Sequence, residues 1–496
     1  TTAHWRKRTE KAQPFFSVYN LMTSHQSRSM VWPYARFKEE VQSTLSPSAI
    51  HDPNKVPLPP YYPDTPLIRR ELARFYDCVT AMDQQVGAIL QQLEEDRLAE
   101  NTIVFFYSDH GSGMPRHKRA LLDSGMHVPL IIRFPKKWQH LAPGKPGSTT
   151  DQLVSFVDYA PTVLNLLSQP IPEAMQGQPF LGPNTPKPRR YVYGHRDRVD
   201  EVRDLSRSVR DERYLYIRNY MPHLGYNQPT AWPDSGEIRH DFYRLSDPEK
   251  MTSAQWHFAG PTRPVEELYD CQADPKNLNN LTSSDAHQKI LKRLRNAHRK
   301  HITQTVDLGF LPESEAWEMF SDKTGWELGQ SGQVKMNAIH KAAALVGMAD
   351  EAALTKNLRS KNANIRYWGA IGLAHLKTLE TKTQAQLHKA LTDPSPAVRI
   401  ESANTLAHHG DLETAIQALI KDLQHENLII VTHAARTIEL LGPKAMIAKA
   451  PMAAALKRAE TIRPPDTPAT VVLPGDKDLA MFVAFSCRAF LNQLAK

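Results

Sequence analysis

Residues 108–111, with the sequence Ser-Asp-His-Gly, form the strongest chemical signal in the chain. They follow the apolar run of residues 102–107, which predicts a buried strand. Ligands of an open α/β sheet bind beyond the carboxyl ends of its strands, so Asp109 and His110 would stand where a ligand binds. Because hard divalent cations prefer oxygen ligands, the Asp109 carboxylate would be the anionic ligand of Ca²⁺ or Mg²⁺.

The same four residues also have an interpretation without any ligand. Asp and Gly are frequent in turns that end a strand, because their backbones tolerate tight conformations. Taken alone, residues 108–111 are better explained by such a turn than by a cation site. The segments around them decide between the two interpretations.

Strand and helix patterns alternate on both sides of these residues. Residues 14–22 and 128–135 are aromatic or β-branched runs that predict two more buried strands. Helical spacing of apolar residues covers 67–98 and 155–167. Such alternation predicts a parallel α/β sheet with helices on both faces.

A different pattern begins after a stretch rich in Pro and Gly at 168–190, which predicts a domain boundary. Residues 190–310 have the make-up of an α+β subdomain. Within it, residues 207–220 alternate like two strands joined by a turn at Asp211, and a closing helix is predicted over 286–303.

From about residue 335 the composition changes to Ala, Leu and Lys, with strong helical periodicity. Apolar residues recur there at a nearly fixed distance: Ile365, Ala370 and Leu373 return 33 residues later as Val398, Ala403 and Leu406, and 32 residues after those as Ile430, Ala435 and Ile438. A period of ~30–45 residues built of helix pairs is typical of a helical solenoid. These helices resemble HEAT repeats.

The patterns divide the chain into five segments. We expect an α/β core, an α+β subdomain, a linker, helical repeats and a Pro-rich segment with a terminal helix, over residues 1–185, 186–315, 316–334, 335–455 and 456–496. The repeats contain no cluster of Asp and His comparable to Asp109 and His110, so we expect no catalytic group in them.

Composition restricts the class of protein. With 41% hydrophobic residues and no run of about 18 apolar residues, the chain has the make-up of globular domains and no predicted membrane span. Its net charge of +8 is compatible with a polyanionic substrate, but no motif or basic stripe indicates nucleic-acid binding. Cys78, Cys271 and Cys487 are too far apart in the sequence to predict a metal motif or a disulfide framework.

Three segments, taken in order, resemble the type I sulfatases of the alkaline phosphatase-like superfamily. They are residues 14–26 (PFFSVYNLMTSHQ), 109–135 (DHGSGMPRHKRALLDSGMHVPLIIRFP) and 155–167 (SFVDYAPTVLNLL). Residues 207–222 and 265–281 are similar to the N-sulfoglucosamine sulfohydrolase (sulfamidase) group. The resemblance covers residue 13 to about residue 310. It implies an alkaline phosphatase-like α/β core, incomplete here, followed by a small α+β subdomain.

The resemblance also implies a role for the polar residues of these segments. Asp109 and His110 would ligate Ca²⁺, with Mg²⁺ as the alternative. Lys118, which precedes Pro129 by eleven residues as in the family, would place a positive charge on a sulfate oxygen. His25 would donate to the sulfate or protonate the leaving group. Without this spacing, Lys118 would be a solvated loop residue and His25 a polar residue at a strand end.

The nucleophile of the family has no counterpart in the sequence. In the family it is a formylglycine, made from Cys or Ser in the motif C/S-x-P-S/A-x-R, and no cysteine here stands in that motif. Cys78 falls inside a predicted helix, where a small core residue is expected. The family's first strand, with its two adjacent Asp residues, is also absent before residue 14. We therefore expect the nucleophile outside this sequence, and we expect the 496-residue chain alone to be inactive.

A charged cluster at 194–204 is a candidate for substrate binding. Its residues of alternating charge are His195, Arg196, Asp197, Arg198 and Asp200. Side chains of mixed sign suit the hydroxyls, sulfates or carboxylates of a sugar, and a solvated charged loop is the alternative. We favour substrate binding because of the cluster's position in the family.

The expected activity is metal-assisted hydrolysis of a sulfate ester or sulfamate in a sulfated glycan. The substrate would be a sulfated oligosaccharide, a glycosaminoglycan or a fragment of an algal polysaccharide, and the family implies a periplasmic or secreted protein. Two alternatives stay open. One is a phosphomonoesterase or phosphodiesterase of the same superfamily, and the other is a non-catalytic sulfatase-like scaffold. For the repeats three roles stay open: they shape the far rim of the pocket, pair subunits in an oligomer or hold a protein partner.

Overall fold

The computed structural model describes residues 4–467 and 471–495. These residues form two compact units. The first unit contains Thr1–Lys118, His127–Ser148 and Trp232–Trp256. The second unit contains Arg119–Met126, Thr149–Ala231 and His257–Lys496.

Helices and strands are numbered along the chain. The helices are α1 (Tyr34–Glu40), α2 (Pro66–Glu95), α3 (Asp123–Met126), α4 (Tyr159–Leu166), α5 (Glu237–Leu245), α6 (Ser253–Ala259), α7 (Gln288–Thr305), α8 (Glu313–Met319), α9 (Gly325–Gln330), α10 (Met336–Ala343), α11 (Glu351–Leu358), α12 (Ala363–Ala374), α13 (Thr381–Ala390), α14 (Pro396–His408), α15 (Leu412–Leu423), α16 (Leu428–Leu441), α17 (Lys449–Ile462) and α18 (Ala480–Gln493). The strands are β1 (Val104–Tyr107), β2 (Leu130–Arg133), β3 (Val192–Arg196), β4 (Ser206–Arg210), β5 (Tyr214–Asn219) and β6 (Glu266–Asp270).

Helix α2 is the longest element of the first unit and matches the helix predicted over 67–98. The Thr65 hydroxyl accepts the backbone N–H of Ile68 at 3.1 Å, and Pro66 occupies the first helical position, so both residues favour a helix start here. Between α1 and α2 lies an apolar cluster of Phe37, Val41, Leu45, Cys78 and Ala81. Cys78 is fully buried in this cluster, as expected for a small core residue.

Strands β1 and β2 lie where two of the buried strands are predicted. They pair with each other in antiparallel orientation, with Val104 opposite Arg133 and Tyr107 opposite Leu130. The parallel pairing predicted from the alternation of strands and helices is therefore wrong for β1 and β2. Parallel neighbours need a long crossover, usually a helix, whereas the helix in the connection from β1 to β2 is α3, with four residues.

Residues 14–22, predicted as a buried strand, form neither a helix nor a strand and belong to neither sheet of the described ranges. Alternate side chains still differ in exposure, since Phe15 and Tyr19 are half-buried and Phe16 is 75% exposed. Phe15 and Tyr19 both pack against Trp5. The alternating pattern therefore indicates that one face of the segment is packed. It does not predict a strand by itself, because a strand also needs a partner for its backbone hydrogen bonds.

The sheet of the second unit has the strand order β3-β4-β5-β6, and each neighbouring pair is antiparallel. Strands β4 and β5 are the pair predicted over 207–220. The Asp211 carboxylate stabilises the turn between them by accepting the N–H groups of Arg213 at 2.9 Å and Tyr214 at 2.6 Å. One face of the sheet packs with α7 through Val209, Tyr216, Leu268, Leu291 and Leu294, and the other face carries Leu121, Leu122, Leu215, Ile217 and Tyr269.

Helices α11 to α16 form the repeats, in the range where the sequence period predicts them. The equivalent alanines Ala370, Ala403 and Ala435 lie on α12, α14 and α16 and are all fully buried. Such small residues let packed helices approach closely. The residues expected as a linker contain structure as well, because α9 and the end of α8 fall within them.

One apolar core runs through the second unit. It joins Tyr220 and Phe310, near the four-stranded sheet, to Trp368 of the repeats and Phe490 of α18. The repeats therefore share a core with the sheet-bearing part of this unit. Within residues 4–467 and 471–495, no helix combines the length and the apolar composition that a membrane span requires.

Candidate active site

The end of β1, in the first unit, carries the residues predicted to hold a cation. The Ser108 hydroxyl donates to the backbone carbonyl of His110 at 2.6 Å and stabilises the turn after the strand. His110 Nδ1 lies 2.6 Å from the carbonyl oxygen of Gly111. Because a carbonyl oxygen only accepts, Nδ1 carries the ring proton of neutral His110, and Nε2 keeps its lone pair.

Asp109 and His110 offer two ligand atoms on the same side of this turn. Asp109 Oδ2 is 3.6 Å from His110 Nε2, which is too long for a hydrogen bond. The Asp109 side chain is 84% exposed, so its carboxylate is open to a cation. The two atoms fit part of a coordination sphere, since Ca²⁺ takes about six to eight ligands. In the part of the chain that the structure describes, no group of three or more His, Cys, Asp or Glu residues could hold a metal.

His25 lies within electrostatic reach of these residues. Its Nδ1 accepts the backbone N–H of Ser27 at 3.2 Å and lies 2.8 Å from the Ser27 hydroxyl. The proton of the neutral ring is therefore on Nε2, which makes Nε2–H a donor. Burial lowers the pKa of His25, and nearby positive charges, including Lys118 and His110, lower it further, while Asp109 raises it. The structure thus brings the four predicted residues of the first unit together and favours a neutral His25.

Lys118 ends a loop whose shape depends on His117. The Lys118 backbone N–H donates to the carbonyl of Ser112 at 2.9 Å. His117 Nδ1 lies 2.8 Å from the Ser112 hydroxyl, and His117 Nε2 lies 2.9 Å from the hydroxyl of Tyr61. Burial lowers the pKa of His117 to about 4, so its ring is neutral near pH 7 and serves in hydrogen bonds. His117 therefore positions Lys118 rather than carrying charge itself.

Gln26 holds the middle of the same loop. Its side-chain amide donates to the carbonyl of Gly113 at 2.9 Å. A Cβ at Gly113 would lie 2.6 Å from Gln26 Cα, so only glycine allows this approach. Because Gln26 follows His25 directly, this contact ties the turn of His25 to the loop of Lys118. Sequence analysis missed Gln26, His117 and Tyr61. The position of His117 beside Lys118 was an available signal, whereas Tyr61 is 56 residues from His117.

The predicted substrate cluster lies in the second unit, at the end of β3. Arg196 is buried, pairs with Asp204 at 2.6 Å and donates to the backbone carbonyl of Arg119, so its contacts are internal to the unit. Asp200 pairs with Arg119 at 3.1 Å. Arg198 is partly exposed and pairs with a carboxylate of α8.

His195 and Asp197 are the exposed members of this cluster. Between them and the interior lies Arg207, which sequence analysis missed. Its guanidinium binds Asp197 at 2.8 Å and Asp307 at 2.6 Å. His195 Nε2 is 4.0 Å from Asp307. Burial lowers the pKa of His195, and the charge of Arg207 lowers it further, so the side chain presented here is a neutral imidazole beside a carboxylate.

Three protein families match successive segments of the chain. Residues 3–169 match the sulfatase family, and residues 114–239 match the C-terminal domain of N-sulphoglucosamine sulphohydrolase. Residues 3–239 of the chain are therefore similar to sulfatases. Residues 351–439 match HEAT repeats. All four residues of the first-unit site fall within the sulfatase match.

Curated relatives match this chain over only part of their length. An ulvan-active sulfatase from Formosa agariphila is 38% identical over 340 residues, which are 63% of this chain and 55% of that protein. The N-sulphoglucosamine sulphohydrolase of Homo sapiens is 26% identical over 343 residues, which are 60% of this chain and 62% of that protein. The chain spans about half the length of the curated relatives that it matches.

These matches confirm the resemblance to sulfatases and to N-sulphoglucosamine sulphohydrolase, and they confirm the HEAT-like repeats. The α/β class with a helical C-terminal region is confirmed as well. The metal, the formylglycine and the roles of single residues stay predictions.

Proposed function

We propose that the protein containing this chain hydrolyses sulfate esters or sulfamates of a sulfated glycan. The observation that carries the proposal is the grouping of His25, Asp109, His110 and Lys118 in a segment that matches the sulfatase family. The glycan class is supported by the relatives, one named for its activity on ulvan and another as an N-sulphoglucosamine sulphohydrolase. Such a substrate suits a periplasmic or secreted protein.

In this proposal, His25 and Lys118 act on the sulfate group. Negative charge grows on the sulfuryl oxygens and on the leaving oxygen or nitrogen as the bond to sulfur breaks. The Lys118 ammonium lowers the energy of that charge, and it needs no reorganisation because the loop holds it in advance. The Nε2–H of neutral His25 donates a hydrogen bond to the sulfate, whereas protonation of the leaving group would need the imidazolium form of His25.

A divalent cation would complete this site, with Ca²⁺ as our first choice and Mg²⁺ as the alternative. The exposed Asp109 carboxylate and the Nε2 lone pair of His110 would hold it. When bound, the cation would polarise the sulfuryl group. The geometry of His110 favours this role, because Nδ1–H donates to the Gly111 carbonyl and leaves the lone pair of Nε2 for the cation.

The nucleophile in this proposal is the family's formylglycine, supplied by residues other than these 496. The cysteines of the chain are unsuited to the role. Cys78, Cys271 and Cys487 are all buried, and burial raises the pKa of each thiol to about 12. A thiol with so high a pKa is almost never a thiolate near neutral pH.

Sulfate release from a small substrate is the direct test. The full-length protein, supplied with Ca²⁺, is expected to release sulfate from 4-nitrophenyl sulfate and from sulfated ulvan oligosaccharides. The 496-residue chain alone is expected to release none. If the full-length protein hydrolyses 4-nitrophenyl phosphate faster than 4-nitrophenyl sulfate, it is a phosphatase of the same superfamily. A protein that hydrolyses neither ester would be a scaffold.

A further inference from the structure

We infer that a cavity in the second unit, between the end of β3, helix α8 and the helical repeats, binds an uncharged sugar ring of the glycan. The nature of this ligand rests on the proposed function, whereas the cavity does not. It has a volume of about 300 Å³. That is the lower end of the range for small-molecule sites, ~300–1,000 Å³, and gives room for one or two sugar rings.

The mouth of this sugar cavity is formed by its exposed residues. Asp197 and Gly309 are exposed there, and the Trp317 side chain of α8 is 55% exposed. An indole with one open face beside a cavity can cover the C–H face of a sugar, and its N–H end stays available to water or a hydroxyl. Phe320, which follows the last residue of α8, packs against the indole with ring centroids 6.2 Å apart at 72°.

The repeats contribute polar as well as apolar residues to the lining of the sugar cavity. Arg203 enters from the sheet-bearing part and contacts one side chain from each of three alternate repeat helices: Tyr367 of α12, Glu401 of α14 and His433 of α16. The hydrogen bond from Arg203 to the Tyr367 hydroxyl is 2.6 Å long. The repeats therefore complete a binding cavity that the sulfatase part alone would leave open on one side.

The charges around the sugar cavity favour an uncharged ligand over a sulfated one. Its two lining arginines are already in ion pairs: Arg203 with Glu401, and Arg198 with Glu313 through contacts of 2.6 and 2.7 Å. The lining also includes the carboxylates of Asp197, Asp204 and Glu313, so it has no positive excess for a sulfate group. Paired carboxylates and guanidinium groups still offer acceptors and donors to hydroxyls, while Leu308, Ile400 and Ile429 supply apolar walls.

Binding of a desulfated ligand tests this inference separately from catalysis. The full-length protein would be titrated with chemically desulfated ulvan oligosaccharides, and tryptophan fluorescence and calorimetry would follow the binding. We expect saturable binding that inorganic sulfate does not displace. Trp317→Ala should weaken it about tenfold or more, and Trp317→Phe should retain most of it, because the ring face is kept. Trp326→Ala is the matched control, since Trp326 is similarly exposed at 49% and does not line the sugar cavity.

The outcomes separate the two proposals. If the desulfated oligosaccharide does not bind, or if Trp317→Ala and Trp326→Ala bind it equally well, the sugar cavity is not a binding site. Displacement by inorganic sulfate would also overturn the inference, because it would indicate an anion site. Release of sulfate from 4-nitrophenyl sulfate by the wild-type protein tests only the proposed function. Thermal unfolding of each variant shows whether a loss of binding reflects a loss of folding.

Discussion

The indole N–H of Trp368 donates to the backbone carbonyl of Phe310 at a distance of 2.9 Å. Trp368 belongs to repeat helix α12, whereas Phe310 follows α7, which covers the four-stranded sheet. Both side chains are almost completely buried. This bond joins the repeats to the sulfatase-like part inside a shared core, so the repeats are expected to support the stability of that part.

Replacing Trp368 with Ala should destabilise the second unit strongly. The change removes a buried indole and leaves the Phe310 carbonyl without this donor, and such losses cost about 3–5 kcal/mol. Urea unfolding of the chain would measure the difference in free energy. Trp326→Ala, at an exposed indole, is the control and should cost less than about 0.5 kcal/mol. Equal effects of the two substitutions would mean that the shared core does not stabilise the unit.

Replacing Asp109 with Ala should remove bound metal and activity together. The exposed carboxylate is the charged ligand that this site offers, and losing it should lower the rate of aryl sulfate hydrolysis about a thousandfold or more. Metal content of the full-length protein and its rate on 4-nitrophenyl sulfate would both be measured. Asp83→Ala, at an exposed carboxylate of α2, should change neither. If Asp109→Ala keeps full metal occupancy, Asp109 is not a metal ligand and only stabilises the turn.

Replacing His117 with Phe should lower the turnover rate without removing the metal. The ring volume is kept, but the contacts with Ser112 and Tyr61 are lost, so the loop no longer holds Lys118 in place. Misplacing a charged group in this way costs about tenfold to a hundredfold in kcat. Tyr61→Phe removes one of the two contacts and should have a smaller effect in the same direction. An unchanged kcat with lowered thermal stability would give His117 a purely structural role.

Replacing Glu201 with Gln should make the protein more stable at alkaline pH. Burial raises the pKa of Glu201 from 4.5 to about 7, so the folded protein holds a proton that the unfolded chain releases more readily. Below about pH 4.5 Glu201 is protonated in the folded and the unfolded state, and the free energy of unfolding has its full value. As the pH rises through about 7, the free energy of unfolding of the wild type decreases, because the unfolded chain ionises more readily than the folded protein. At about pH 8 the variant should therefore gain on the order of 3 kcal/mol over the wild type.

Below about pH 4.5 the gain from Glu201→Gln should vanish, because both side chains are then neutral. Urea unfolding at several pH values would test this slope. Glu426→Gln, at an exposed glutamate, should leave the pH dependence unchanged. A constant difference between wild type and Glu201→Gln at all pH values would exclude a titrating Glu201.

Local sequence patterns predicted the elements whose formation depends on near neighbours. Helix α2 has its cap, its proline and its apolar face within one stretch of chain, and the turn at Asp211 is stabilised by its own next residues. The repeats were visible because equivalent alanines recur at a constant spacing. The order and spacing of the segments that contain His25, Asp109 and Lys118 indicated the sulfatase family, since order and spacing are carried by the sequence itself.

Only the tertiary structure decided which partners distant residues find. The contact of His117 with Tyr61 spans 56 residues, that of Trp368 with Phe310 spans 58, and that of Arg203 with Tyr367 spans 164. Sequence periodicity does not predict such contacts, because each contact depends on how whole helices and strands pack against one another. Residues 14–22 illustrate the same limit. Their alternating pattern indicates a packed face. Pairing into a sheet also depends on a second strand, and the pattern does not predict where that strand lies.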